Sequence, residues 1–498
     1  MNWRLLLLAG LFSSTISSAQ VTLPKIISDH MVIQRDLPVH VWGRATPGEQ
    51  VSVIFRDETR VVTANGLGRW NAYLKPGSAG GPFEMTVKAS NGNAPSIVIH
   101  DVLVGDLWVA SGQSNMEFEM RKASTAATDL PNAGNPRIRL LMVKKRAADY
   151  PQDDVDTEGW GLSTPETAKD FSAVAWYFAR EVEQKEHVPV GVIDSTWGGT
   201  VAESWVRLTA LGEDPALNPL FASRGNMLDK AADSEAEIKD QRRQQDEAKA
   251  AGRPVPQFPW HPPLASWGPG LLWNGMIAPL TPLPIRGALW YQGESNSALE
   301  RFPIYNRIMR ALIEDWRRQW GVGAFPFLYV QISNFKSTPR EDWASLRQQQ
   351  VDTLGLRNTA MAVTIDIGNP DDVHPTNKVD VGHRLALAAR ALSYGEDVNF
   401  WGPMFRQAAP EGGSIRAWFD HGKGMTARAG EATGFEVAGA DGKFSPAAAK
   451  IEGETVVASS PDVPSPLYVR YGWANSPQCN LFNREGLPAS PFTSFRPE

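Results

Sequence analysis

Val102-Leu103-Val104-Gly105-Asp106-Leu107-Trp108-Val109-Ala110 is a nearly continuous apolar run, and Ser111-Gly112-Gln113-Ser114-Asn115-Met116 follows it directly. A strand with one wet face alternates apolar and polar residues. An unbroken apolar run of this length therefore reads as a strand covered on both faces, as in a parallel sheet flanked by helices. The residues after the run support that reading. A helical pattern at 172–185 precedes a second buried strand at 188–194. A strand at 287–292 leads to a helix at 305–320, strands follow at 325–332 and 359–366, and 378–394 is a strong helix. Strands alternating with helices predict an α/β fold with a parallel sheet, whose functional groups sit in loops beyond the strands' C-terminal ends.

The pattern differs on either side. From Val21 to about Ser96 short alternating runs such as Gln50-Val51-Ser52-Val53-Ile54-Phe55 are separated by turns such as Thr46-Pro47-Gly48-Glu49, which predicts a small β-sandwich. After residue 405 alternation returns, as in Ser414-Ile415-Arg416-Ala417-Trp418-Phe419, and predicts a second β-rich module. The expected division is a signal peptide at 1–19, an N-terminal β-sandwich at 20–98, a central domain at 99–404 and a C-terminal module at 405–498. The central domain carries a charged and proline-rich insertion at about 206–270, with 229–251 read as an exposed helical excursion and 253–263 as an extended connector.

A chain of 498 residues is too long for one compact core. Its net charge of −6 argues against nucleic-acid binding, which calls for a basic surface. Arg4, the apolar stretch 5–12 and the small residues Ser17-Ser18-Ala19 predict a cleaved export signal, hence secretion or a periplasmic location. No later run approaches the length of a membrane span, so no membrane anchor is expected. Cys479 is the single cysteine, which rules out an intramolecular disulfide and reads as a small buried residue.

Four loops carry candidate chemistry, each after a buried strand. Ser114 stands at a strand-to-loop turn, where its hydroxyl projects from the sheet edge. A serine is a poor nucleophile until a base accepts its proton, and His374, in Asp371-Asp372-Val373-His374-Pro375, has the right chemistry. A carboxylate three residues earlier in the same loop can fix the imidazole. In Trp290-Tyr291-Gln292-Gly293-Glu294-Ser295-Asn296, Gln292 or Asn296 can offer an amide to an oxyanion, and Glu294 can bond a substrate or brace the loop. In Ser195-Thr196-Trp197-Gly198-Gly199-Thr200 the glycines let backbone approach a substrate and present an N–H. A glycosidase using Glu294 with Asp371 is conceivable, but nothing in the sequence favours it over the serine. No HExxH, paired cysteines or zinc-spaced histidines appear, nor a phosphate-binding loop, so neither metal nor cofactor is expected.

The sequence resembles the sialate O-acetylesterase group of the SGNH hydrolase superfamily. The resemblance rests on Gly112-Gln113-Ser114-Asn115-Met116, Trp197-Gly198-Gly199-Thr200, the 290–296 block, His374-Pro375 with Asn377-Lys378, and Gly382-His383-Arg384-Leu385. It reaches Ser28-Asp29-His30-Met31-Val32-Ile33-Gln34-Arg35 near the start and Asn483-Arg484-Glu485-Gly486-Leu487-Pro488 near the end.

The resemblance implies an SGNH-like parallel-sheet domain and a serine carbohydrate esterase that removes O-acetyl groups from sugars. In that reading Ser114 is nucleophile and His374 base, with Ser114, Gly199 and Gln292 as oxyanion donors. The superfamily's spacing selects Asp371 as the acid, with Asp372 and Asp366 close in sequence; a Ser–His dyad is the alternative. Gln113, Glu294, Asn296 and Trp197 are expected to face the substrate, and Trp197, Trp290 and Trp273 are candidate sugar platforms. O-acetylated sialic acid is the implied substrate, acetylated xylan or another glycan the alternative. A non-catalytic glycan-binding protein is the reading from another class, and the Ser–His–Gln set speaks against it.

Overall fold

The structure, a computed structural model, describes residues 21–90, 95–258 and 263–495. The export signal expected at 1–19 lies outside these residues, as does part of the connector expected at 253–263.

The N-terminal strands are β1 (Val32–Gln34), β2 (Val39–Arg44), β3 (Gln50–Phe55), β4 (Glu58–Thr63), β5 (Arg69–Leu74) and β6 (Gly80–Ala89). They lead into β7 (Ile97–Gly112), the strand built on the opening apolar run. The strands after it are β8 (Asn135–Met142), β9 (Trp160–Ser163), β10 (Val190–Thr196), β11 (Gly287–Tyr291), β12 (Phe327–Val330) and β13 (Thr359–Ala362). The central sheet has the order β13-β12-β11-β7-β10-β8-β9. Every pair in it is parallel except β8 with β9.

β7 is longer than its apolar run because it belongs to two ladders. Its first half pairs antiparallel with β6, Leu103–Gly105 pair parallel with β1, and Asp106–Gly112 pair with β10. The strand therefore runs unbroken through position 98.

Alternate side chains of the parallel strands enter opposite cores, the period-2 signature of a sheet buried on both faces. Leu107, Val109, Trp290 and Tyr329 enter the core that includes the Tyr305–Trp320 helix and the N-terminal strands. Trp108, Ala110, Leu289 and Val330 enter the other, built against the helices Ala173–Glu186 and Lys378–Tyr394. The charged segment forms a long helix, Pro219–Ala250, largely exposed as its composition predicts.

The C-terminal strands form two four-stranded antiparallel sheets and a short two-stranded one. Ile415, Phe419 and Val456 from one meet Val437, Val469 and Phe492 from the other in a third core. Arg347, in the helix Trp343–Asp352, joins this region to the central sheet. It is fully buried and donates to the carbonyls of Ile332 (3.0 Å), Ser333, Ala474 and Asn475 (2.8 Å each).

Candidate active site

Because β7, β10 and β11 run parallel, their carboxyl ends share one edge of the sheet. They also end level: Gly112 pairs with Thr196 on one side and Tyr291 on the other. Gly112 has φ +133°, and a Cβ there would fall 2.2 Å from the Tyr291 carbonyl oxygen. Only glycine fits, so the chain turns sharply out of the sheet. The Gln113 N–H donates to Tyr291 O (3.0 Å) and the Trp197 N–H to Gly112 O (3.0 Å), fixing the three loops side by side. Ser114 then opens the one-turn helix Ser114–Glu117.

Across this edge, 260 positions along the chain, His374 Nε2 lies 2.8 Å from Ser114 Oγ. The sequence expected this pair, and the structure brings it together. Burial lowers the His374 pKa from its ordinary value, the Lys378 charge lowers it further, and Asp372 opposes both. The shift favours the neutral imidazole, the form that can accept a proton.

Asp371 is not brought to the imidazole. It is exposed and pairs with Lys336 at 3.0 Å. The carboxylate near the ring is Asp372: Oδ1 stands 3.7 Å from His374 Nδ1 and accepts the His374 backbone N–H at 2.8 Å. Asp366 is bound in a bidentate pair by Arg384 (2.7 Å).

The Gln292 amide, expected at an oxyanion, is fully buried and committed elsewhere. Its Nε2 donates to Asn296 Oδ1 (2.6 Å) and Thr200 O (3.2 Å), and its Oε1 accepts from the Tyr305 hydroxyl (3.1 Å). Asn296 is equally enclosed, accepting from the Ala202 N–H and donating to Glu203 (both 2.9 Å). These two residues brace the 197–203 loop against the 292–297 loop. Gln113, buried, uses Oε1 to accept the N–H groups of Ser295 (3.2 Å) and Gly293 (3.4 Å). Glu294 is buried against Asn115, whose Nδ2 donates to it at 2.6 Å. With Glu294 enclosed and Asp371 exposed, the two do not form a glycosidase pair.

Beside the serine, the Gly199 backbone is left-handed (φ +74°), and its carbonyl accepts from Trp267 Nε1 (2.8 Å). Among the described residues the N–H groups of Ser114 and Gly199 enter no backbone hydrogen bond. Of the expected sugar platforms, Trp290 and Trp273 are core residues, and only Trp197 is half-buried.

Two further neighbours of the serine carry no signal in the sequence. A Cβ on Gly198 would stand 3.2 Å from Ser114 Cβ, so this glycine packs on the serine itself. Glu117 accepts the Gly198 N–H and pairs with Lys145. Both contacts depend on where two strands end, which no local pattern encodes.

Residues 267–391 match the family model for carbohydrate esterase, sialic acid-specific acetylesterase. The chain is 32% identical over 419 residues to the sialate O-acetylesterase of Mus musculus, covering 76% of this chain and 74% of that protein. The Homo sapiens sialate O-acetylesterase is likewise 32% identical, over 76% of this chain and 72% of its own. The crystal structure of a carbohydrate acetylesterase from Xanthomonas citri superposes with a TM-score of 0.82 at 37% identity, covering 95% of this chain and 99% of that one. The chain belongs to the sialate O-acetylesterase family. It is a carboxylic ester hydrolase of O-acetylated sugars.

Proposed function

We propose that Ser114 is the nucleophile of this esterase and His374 its base, with the 2.8 Å contact between Oγ and Nε2 carrying the assignment. Nε2 takes the hydroxyl proton as Oγ attacks the acetyl carbonyl carbon, giving a tetrahedral oxyanion. The N–H groups of Ser114 and Gly199 receive that charge. Gln292 acts behind them by holding the loops that present them. The imidazolium then protonates the departing sugar oxygen, the C–O bond breaks, and an acetyl-serine remains. Water, deprotonated by His374, attacks this ester. Acetate leaves as Oγ recovers its proton.

Asp372 steadies the His374 loop through its main-chain bond, leaving a dyad with a loosely placed acid. Trp197, half-buried beside the serine loop, is the sugar-facing aromatic. O-acetylated sialic acids are the first substrate choice, supported by the names of the mouse and human relatives. The protein acts outside the cytoplasm after losing residues 1–19, as an N-terminal β-sandwich, a catalytic domain and a C-terminal β-rich module. Among the described residues no helix is long and apolar enough to cross a membrane.

The test is acetate release by wild type and Ser114→Ala from an aryl acetate, acetylated sialic acids and acetylated xylan fragments. Ser114→Ala is expected to fold and to release no acetate. Substantial residual activity defeats the assignment, and preference for xylan fragments over sialic acids redirects the substrate.

A further inference from the structure

We propose that Lys378, Asn115 and Glu294 form a buried positioning relay that sets Ser114 against His374; the proposal rests on the Ser–His reading above. Asn115 follows the serine directly, and its side chain is 1% exposed. It makes three hydrogen bonds to residues distant in the chain. Oδ1 accepts from Lys378 Nζ at 2.5 Å, while Nδ2 donates to Glu294 Oε1 at 2.6 Å and to the Val373 carbonyl at 3.0 Å. Val373 directly precedes His374. One carboxamide therefore ties the residue after the nucleophile to the residue before the base.

Lys378 and Glu294 fix which way that carboxamide points. A lysine beside Oδ1 and a carboxylate beside Nδ2 both enforce the observed orientation, and a flip would set donor against donor and acceptor against acceptor. Fold stability alone gives little reason to keep this lysine. Its side chain is entirely buried, and it sits in the first turn of the Lys378–Tyr394 helix, where the dipole disfavours a cation. A methionine of similar volume would avoid both costs. The charge is instead accommodated by Asn115 and by the faces of Phe118 (4.7 Å) and Tyr291 (5.3 Å). Burial brings the Lys378 pKa down to about 7 and pushes the Glu294 carboxyl up. One Glu294 oxygen, Oε2, is buried without a hydrogen-bond partner. The relay thus holds ionisable groups under a desolvation cost, and their common contact is the amide that aligns the reacting pair.

The same lysine acts on His374 through space. Glu294 and Asp372 face Lys378, while Asp372, Lys378, Lys122 and Glu117 face His374. Protonated Lys378 disfavours the imidazolium, so its removal raises the histidine pKa.

The experiment compares wild type, Ser114→Ala, Lys378→Met and the near-isosteric Asn115→Asp on an aryl acetate across pH, with folding checked by circular dichroism. The relay predicts kcat down by about 10–100-fold in the two relay variants, with KM within about twofold, since misplaced reacting groups cost turnover rather than binding. In Lys378→Met the acid limb of kcat/KM also moves to higher pH. If Lys378→Met does not fold, Asn115→Asp, which keeps the lysine and the side-chain volume, carries the test through its kcat. Folded relay variants with wild-type kcat and an unmoved acid limb, beside an inactive Ser114→Ala, overturn the relay alone. An active Ser114→Ala overturns the Ser–His reading instead.

Discussion

Asp372 and His374 meet through the main chain more than through the ring: the carboxylate accepts the His374 backbone N–H at 2.8 Å, while Nδ1 stands 3.7 Å away. That carboxylate is also about half exposed, at 56%. It shapes the loop, and water screens whatever charge it offers the imidazole. The ring itself meets Ser114 Oγ at 2.8 Å and lies with its centroid 6.5 Å from that of the Phe118 ring.

An exposed charge pair is worth about 0.2–1 kcal/mol, so Asp372→Asn is expected to lower kcat by less than about tenfold. A buried triad acid would cost about 10⁴-fold. Asp371→Asn, which removes an exposed pair with Lys336, is expected to leave kcat within about twofold. Steady-state kinetics on an aryl acetate decide both.

The pH dependence follows from His374. In the proposed mechanism the neutral imidazole is the base, and burial followed by the Lys378 charge lowers its pKa from the ordinary 6.5. Activity is therefore retained as pH falls past that value and is lost only as the lower, folded pKa is crossed. The acid limb of kcat/KM is expected below pH 6.5, measured with a substrate that does not itself titrate there. A limb above that value contradicts the burial seen for the ring.

Gly198→Ala tests the packing on the serine. The new Cβ would lie 3.2 Å from Ser114 Cβ and 3.1 Å from Glu117 Oε2, so the serine loop must give way by tenths of an ångström. The expected result is a kcat reduced by about tenfold or more with a melting temperature close to wild type. Unchanged kcat would show that the Ser114 loop yields without cost.

Arg347→Met tests the tie between the C-terminal region and the sheet. The substitution leaves the carbonyls of Ile332, Ser333, Ala474 and Asn475 without this donor. An unsatisfied buried acceptor costs about 1–3 kcal/mol, so at least about 3 kcal/mol of stability is expected to be lost in all. Urea unfolding measures it, and a loss under about 1 kcal/mol would mean that other groups or water replace the guanidinium.

The parallel sheet was legible because its strands are apolar on both faces and its helices keep a 3.6-residue period. The helices expected at 305–320 and 378–394 have those bounds in the structure. Ser114 and His374 were legible because each follows a strand with chemistry-bearing neighbours. Gln292 was misplaced for a physical reason. A glutamine beyond a strand end looks the same in sequence whether its amide faces solvent or, as here, closes a buried bridge between Thr200, Asn296 and Tyr305. The choice between Asp371 and Asp372 turns on loop curvature that spacing alone does not carry. The burial of Lys378 was hidden because a lysine near a helix start ordinarily points to water.

Since β7 is hydrogen-bonded to β6 and β1 before it reaches β10 and β11, the serine loop hangs from a beam whose far end is built into another sheet. A minimal esterase made by trimming the chain at residue 96 would strip that beam of its early partners and leave raw strand edge open to self-association. Engineers seeking a smaller enzyme, or a graft onto a foreign scaffold, should therefore carry the front sheet along with the reactive one.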